Sequence, residues 1–313
     1  MYAYIAKRTL AVIPVMLVVA LVVFLLLHLT PGDPAAVIAG DYARPEDIVR
    51  IRKQLGLDEP LYIQFSTWLW SVLRGDLGVS IFSNMPVSKL IGQRLEPTLA
   101  LSVSTILFSV LIAVPMGVWA AWRSGTWVDR SIMVFAVLGF SVPVFVIGYV
   151  LIYVFSLKFG WFPVQGYKAI GDGFLPFLRS IALPTIALGV VYVALIARIS
   201  RASMLEVLNE DYIRTARAKG QVERKVMMRH ALKNAAVPII TIIGIGIALL
   251  IGGVVVTESV FNIPGLGRLT IDAVLRRDYP IIQGVILVFS AAYVIVNLLI
   301  DISYSFLDPR IRY

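Results

Sequence analysis

Six long apolar stretches dictate what this chain can fold into. They run from Thr9 to Leu29, Ala100 to Ala121, Ile132 to Ser156, Ile181 to Ala197, Ala235 to Thr257 and Ile281 to Ile300, and His28 is the only histidine or formally charged residue in any of them. A helix crosses the hydrocarbon layer with about 20 apolar residues because it satisfies its own backbone hydrogen bonds, which an open sheet edge cannot do there. The pattern therefore predicts an all-α, polytopic membrane protein with about six transmembrane helices. The fourth stretch is short and holds Pro184, so its start is the least defined. Lys7 and Arg8 precede the first stretch as they would in a secretory signal. That run is longer than the roughly 7 to 15 residues of a signal core and lacks a small-residue cleavage site, so it reads as a membrane anchor.

Composition agrees, with 59% hydrophobic and 15% charged residues. A net charge of +9 is compatible with nucleic acid binding, but its distribution gives another explanation. Six crossings put both termini on one side, and that side carries 15 of the lysines and arginines against 6 in the short loops opposite. The remaining 7 lie in the 30–96 loop, which is longer than the roughly 60 residues over which the positive-inside bias acts. Both termini are thus expected to be cytoplasmic, and nucleic acid is an unnecessary hypothesis. The absence of cysteine removes disulfides, thiolate metal sites and cysteine nucleophiles.

Two loops carry further information. In the outer loop, Pro45 followed by Glu46 and Asp47 reads as a helix start, because proline suits the first turn and carboxylates suit the positive end of the helix dipole. Gly56 is a candidate stop. Tyr62, Phe65, Leu69 and Val72 then recur at helical spacing beside Trp68 and Trp70, which predicts an aromatic helix at the membrane interface. It serves either as a lid on the transmembrane helices or as a docking face for a soluble partner. The inner loop, residues 198–234, interleaves Tyr212, Ile213 and Ala216 with Arg214, Arg217 and Lys219, reaches Gly220 and begins a second helical run at Val222. Glycine tolerates positive φ, so Gly220 can end one helix and turn the chain into the next. The alternatives are a rigid knob for a cytoplasmic partner and a solvated basic loop.

Within the second span, Thr98, Ser102, Thr105 and Ser109 share one helical face, as a polar path lining or as a helix-packing seam. Glu258, at the outer end of the fifth span, is a candidate for an outer gate. Gly244, Ala248 and Gly252 form a small-residue ridge suited to close helix approach. Pro115 and Pro143 are candidate kinks, and residues 261–277 can be a glycine-punctuated re-entrant segment. His28 and His230 have no partners at metal-ligand spacing, and Asn297 with Asp301 reads as a cap or an interhelical bond.

The inner loop also carries a resemblance. Asp211-Tyr-Ile-Arg-Thr-Ala-Arg-Ala-Lys-Gly220, followed by His230-Ala-Leu-Lys-Asn-Ala-Ala-Val-Pro238, resembles the cytoplasmic loop of binding-protein-dependent ABC importer permeases of the dipeptide and oligopeptide family. Their general pattern is E-A-A, three residues, G, nine residues, I-x-L-P. Here Arg214-Thr215-Ala216 stands for E-A-A, His230 for isoleucine and Lys233 for proline, while Ala216, Gly220 and Leu232 match. Pro31-Gly-Asp-Pro34, Leu55-Gly-Leu-Asp-Glu-Pro60, Gly75-Asp-Leu-Gly78, Glu258-Ser-Val-Phe261, Pro264-Gly-Leu-Gly267, Arg277-Asp-Tyr-Pro280 and Asp308-Pro-Arg-Ile-Arg312 extend the likeness over nearly the whole chain.

The resemblance implies a multi-pass subunit of a bacterial or archaeal cytoplasmic membrane, with the first span at 1–29, an outer loop at 30–96 and a core permease at 97–313. It implies a second homologous permease, two ATP-binding subunits that hold ATP and Mg, an extracytoplasmic binding protein and a peptide, glutathione, nickel-complex or oligosaccharide substrate. In this reading Tyr212, Arg214, Thr215, Ala216, Arg217, Lys219 and Gly220 seat on an ATPase subunit, and Ser102, Thr105, Ser109 and Glu258 belong to the translocation path or its gate. No G-x-x-x-x-G-K-[ST] occurs in the chain, so nucleotide phosphates have no such cradle here and no cofactor of its own is expected. A membrane enzyme needs a catalytic constellation in the bilayer, and a secondary transporter or channel often shows intramembrane charges or an inverted repeat. Neither signature is evident in the sequence.

Overall fold

The computed structural model describes residues 2–29, 35–36, 44–54 and 56–307. The motifs Pro31–Pro34 and Asp308–Arg312, and Leu55, lie outside the described residues. The long helices are α1 (Tyr2–Leu29), α4 (Val87–Trp122), α7 (Phe174–Leu208), α9 (Leu232–Val260) and α11 (Tyr279–Leu307). Between them stand α2 (Pro45–Gln54), α3 (Leu61–Leu73), α5 (Trp127–Ser141), α6 (Val144–Leu151), α8 (Asp211–Ala218) and α10 (Leu266–Arg276). The helical turns Glu223–Lys225 and Val226–Ala231 lead into α9, and a wider π-type turn, Ile152–Lys158, prolongs α6. Among the described residues, five unbroken helices are long and apolar enough to cross a membrane, and α5 with α6 passes the same test together as a bent pair, which makes up to six.

The third apolar stretch, Ile132 to Ser156, is thus broken at Pro143, one of its candidate kinks. The helices meet at 101°. Val142 is extended (φ −90°, ψ 125°), as the residue before a proline prefers, and Pro143 offers no N–H to continue the ladder. Pro115 and Pro184 remain inside continuous helices. The second and fourth spans also begin earlier than their apolar runs, at Val87 and Phe174, so α4 takes in part of the segment read as loop.

The bundle is arranged around α7, in whose most apolar stretch 72% of residues are buried, against 11–28% in the other unbroken spans. Small residues let α4 approach it. A side chain at Gly117 would strike the Ala197 carbonyl and Ser200, and one at Gly189 would strike Phe108. Ser104 Oγ and Thr185 Oγ1 are hydrogen-bonded at 2.8 Å, and Ser109 Oγ donates to the Gly189 carbonyl at 3.3 Å. Such close, polar-stitched contacts suit helices that gain little from burying apolar surface against equally apolar lipid. The opposite face of α4 exposes Leu99, Val103, Leu107 and Leu111, one residue per turn.

In the outer loop, α2 starts at Pro45 and ends before Gly56, whose φ is +64°. Leu57 N donates to Arg52 O and Gly56 N to Lys53 O, which closes the helix end. Helix α3 lays Phe65, Trp68, Leu69 and Val72 against Ala20, Val23 and Leu287. Phe24 of α1 meets Phe65 edge-on at 5.4 Å and Trp68 at 5.7 Å. The aromatic face is therefore a lid on the transmembrane helices, whereas Tyr62 remains exposed. His28 Nε2 donates to Gln64 Oε1 at 3.1 Å, which ties α1 to α3. At the other end of α1, Arg8 pairs with Asp301 of α11 at 3.0 Å, and Asn297 Nδ2 donates to the Tyr293 carbonyl within α11.

Candidate functional site

Helix α8 follows α7 after a two-residue break and carries Asp211 in its first turn, where a carboxylate complements the helix dipole. One face is anchored. Ile213 is fully buried against Met204, Val226, Met227, Ala231 and Ala235, and Ala216 packs on the same cluster, which also takes in Ala121 at the end of α4. Ala216 therefore contributes to the knob's own footing more than to its outer surface. Tyr212, Arg214, Thr215, Arg217 and Lys219 are exposed.

At the end of α8, Gly220 takes φ +75°, with its N–H on the Arg217 carbonyl and the Gln221 N–H on the Ala216 carbonyl. Arg217 reaches across this turn to Glu223 with two hydrogen bonds, of 2.7 Å and 3.2 Å. That carboxylate raises the guanidinium pKa above its ordinary value. Arg214 pairs with Asp211 at 3.1 Å, and Tyr212 Oη accepts from Asn234 Nδ2 at 2.8 Å. Exposed pairs of this kind contribute about 0–1 kcal/mol, whereas burying an isoleucine contributes roughly 1.5–3 kcal/mol. Ile213 thus anchors the knob, and the ion pairs shape its surface.

The end of the bundle opposite α8 holds a second constellation. Glu258 is fully buried. Its Oε1 accepts from Thr98 Oγ1 at 2.5 Å and its Oε2 from Arg268 N at 3.0 Å, while Thr98 Oγ1 accepts from Leu266 N at 2.8 Å. The first N–H groups of α10 have no helical partners, and the carboxylate and hydroxyl supply them. A side chain at Gly265 would collide with the Glu258 carboxylate, and one at Gly267 with Val255 and Glu258. These contacts explain the spacing of Glu258 and Pro264-Gly-Leu-Gly267. Glu258 therefore joins α4, α9 and α10 as an internal link.

Of the stripe on α4, Thr98, Thr105 and Ser109 are buried and Ser102 is half-buried. Ser109 lies in the seam with α7, and Thr105 Oγ1 is buried with no hydrogen-bond partner among the described residues. Gly244 approaches Ile300 of α11 inside the chain, while Gly252 has open space beside it.

Two polar links were not evident in the sequence. Arg201 of α7 grips Asp129 of α5 through two hydrogen bonds, one from Nε to Oδ1 and one of 2.7 Å from a terminal nitrogen to Oδ2. Asp278, the residue before α11, accepts from Ser80 Oγ at 2.6 Å. Outside the spans, Tyr167 Oη donates to Glu96 Oε1 at 3.3 Å, and burial first, then the Glu96 charge, pushes the phenol up to about 12. It is accordingly a neutral donor that pins the 159–173 loop to α4.

This architecture matches a known family. The model for the binding-protein-dependent transport system inner membrane component matches residues 113–313, and the companion model for its N-terminal part matches residues 1–103. The chain belongs to this family. Among relatives of these binding-protein-dependent membrane components, the "Probable peptide ABC transporter permease protein y4tP" of Sinorhizobium fredii is 55% identical over the full length of both chains. The glutathione transport system permease protein GsiC of Salmonella paratyphi A is 44% identical, again over all of both chains. A chain of the MetNI methionine ABC transporter, solved in inward-facing conformations, shares the fold, with a TM-score of 0.58 at 18% identity over 70% of this chain and 96% of that one. Within the family, Gly220 and the fully buried Ile213 lie in the loop whose sequence carries the resemblance.

Proposed function

We propose that the chain is the permease subunit of a peptide importer, forming the translocation path with a second homologous permease and driven by two separate ATPase subunits. An extracytoplasmic binding protein delivers the substrate, and both termini face the cytoplasm. The observation that carries this reading is the knob at 211–220, closed by Gly220 and footed by Ile213 and Ala216 on the ends of α4, α7 and α9. A rigid projection with that footing can pass a push from a cytoplasmic partner into three helices at once. Tyr212, Arg214, Thr215 and Lys219 form its partner-facing surface, and Arg217 braces it through Glu223. ATP binding and hydrolysis alter transport only through a difference in affinity between outward- and inward-open states.

Peptide is the favoured substrate because the 55%-identical relative is named for peptide transport, and glutathione, itself a tripeptide, is the second reading supported by GsiC. The test is uptake into proteoliposomes containing the full assembly and its binding protein, with dipeptide, longer peptide or glutathione as cargo. ATP-dependent accumulation of a peptide supports the proposal. Uptake without ATP, or purification of the native chain with no ATPase subunit, contradicts it.

A further inference from the structure

We infer that the Asp129–Arg201 pair is a positioning clamp that makes the bent α5–α6 unit follow α7 when the knob is displaced. This inference rests on the coupling role proposed for residues 211–220. Arg201 lies near the end of α7 that leads into the knob. Its guanidinium grips both carboxylate oxygens of Asp129, which is 4% exposed and also accepts from Gly125 N at 3.0 Å. One side chain therefore gathers the turn after α4 and the first turn of α5 onto α7.

The geometry favours a mechanical role over a purely stabilising one. The Arg201 side chain is 26% exposed and that of Asp129 only 5%, so breaking the pair leaves a buried carboxylate without its counter-charge, a cost that ties the two helices to one register. Elsewhere α5 meets α7 where Gly139 approaches Val190 and Ala194, a smooth contact that resists sliding less than a two-pronged ion pair does. Past that contact, α5 reaches the 101° break at Pro143, beyond which Gly148 of α6 packs on Val260 and Phe261 at the outer end of α9. The clamp sits where motion of α7 enters this unit. Asp129 and Arg201 touch no substrate in this account and act through helix position.

The experiment uses the full assembly in proteoliposomes and measures substrate transported per ATP hydrolysed. Asp129→Asn and Arg201→Gln are expected to keep basal ATP hydrolysis and to lower that ratio about tenfold, within the range seen for residues that couple distant sites. The exchange Asp129→Arg with Arg201→Asp is expected to recover most of it. Arg201→Lys keeps the charge but loses the fork, and is expected to fall between native and Arg201→Gln. Because it retains the charge, it carries the test if the neutral variants fail to assemble. A ratio within twofold of native in every assembled single variant overturns the clamp. So does an exchange variant that regains assembly without regaining the ratio. Absence of ATP-dependent uptake by the native assembly overturns the permease reading itself, a result separable from either of these.

Discussion

Thr98 donates to Glu258 across 2.5 Å while accepting the Leu266 N–H at 2.8 Å, so one hydroxyl joins α4, α9 and α10. Both residues are buried and hydrogen-bonded in this arrangement. Their role in the described conformation is to hold the outer turn, and that role has measurable consequences.

Thr98→Val keeps the shape but removes the hydroxyl, leaving the Leu266 N–H without its acceptor and Glu258 short of one donor. Leaving a buried polar group unpaired costs about 1–3 kcal/mol. A lower thermal midpoint in detergent is expected for Thr98→Val, with a smaller change for Thr98→Ser. An unchanged midpoint for Thr98→Val would mean that the network does not hold the turn.

Glycine substitutions separate crowded positions from open ones. Gly265→Ala places a methyl group on the Glu258 carboxylate, whereas Gly252→Ala meets nothing within 4 Å among the described residues. Alanine is favoured over glycine in a helix interior by up to about 1 kcal/mol. The expected order of midpoints is Gly252→Ala at or above native and Gly265→Ala clearly below it. Equal midpoints for the two variants would contradict the close approach.

Anchoring of the knob by packing, more than by charge, is also testable. Ile213→Ala is expected to cost about 2–5 kcal/mol, and Arg217→Ala less than about 1 kcal/mol because the pair with Glu223 is part-exposed. Hydrogen exchange over 211–220 reads the difference locally. Faster exchange in Arg217→Ala than in Ile213→Ala would reverse the assignment.

Much of this plan was legible in the chain itself, for identifiable reasons. A membrane span announces itself through an uninterrupted apolar run, and Gly56 and Gly220 announce helix ends because only glycine enters positive φ without penalty. Pro143 and Pro115 look alike in sequence, but only the residue before Pro143 leaves the helical region. Asp129 and Arg201 stand 72 residues apart, and neither position says that the two will share a buried contact. Glu258 was legible as an unusual carboxylate at a span end. Its function as a link depends on Thr98, 160 residues away, and on the backbone of a helix that had yet to be placed.

The most direct test of the central claim is ATPase activity of the purified assembly in lipid, with and without binding protein and peptide, in native and Gly220→Pro forms. Proline cannot reach the +75° φ of this position and removes the N–H that caps α8. The variant is expected to retain basal hydrolysis and lose the stimulation by loaded binding protein. Full stimulation in an assembled Gly220→Pro variant would contradict coupling through residues 211–220.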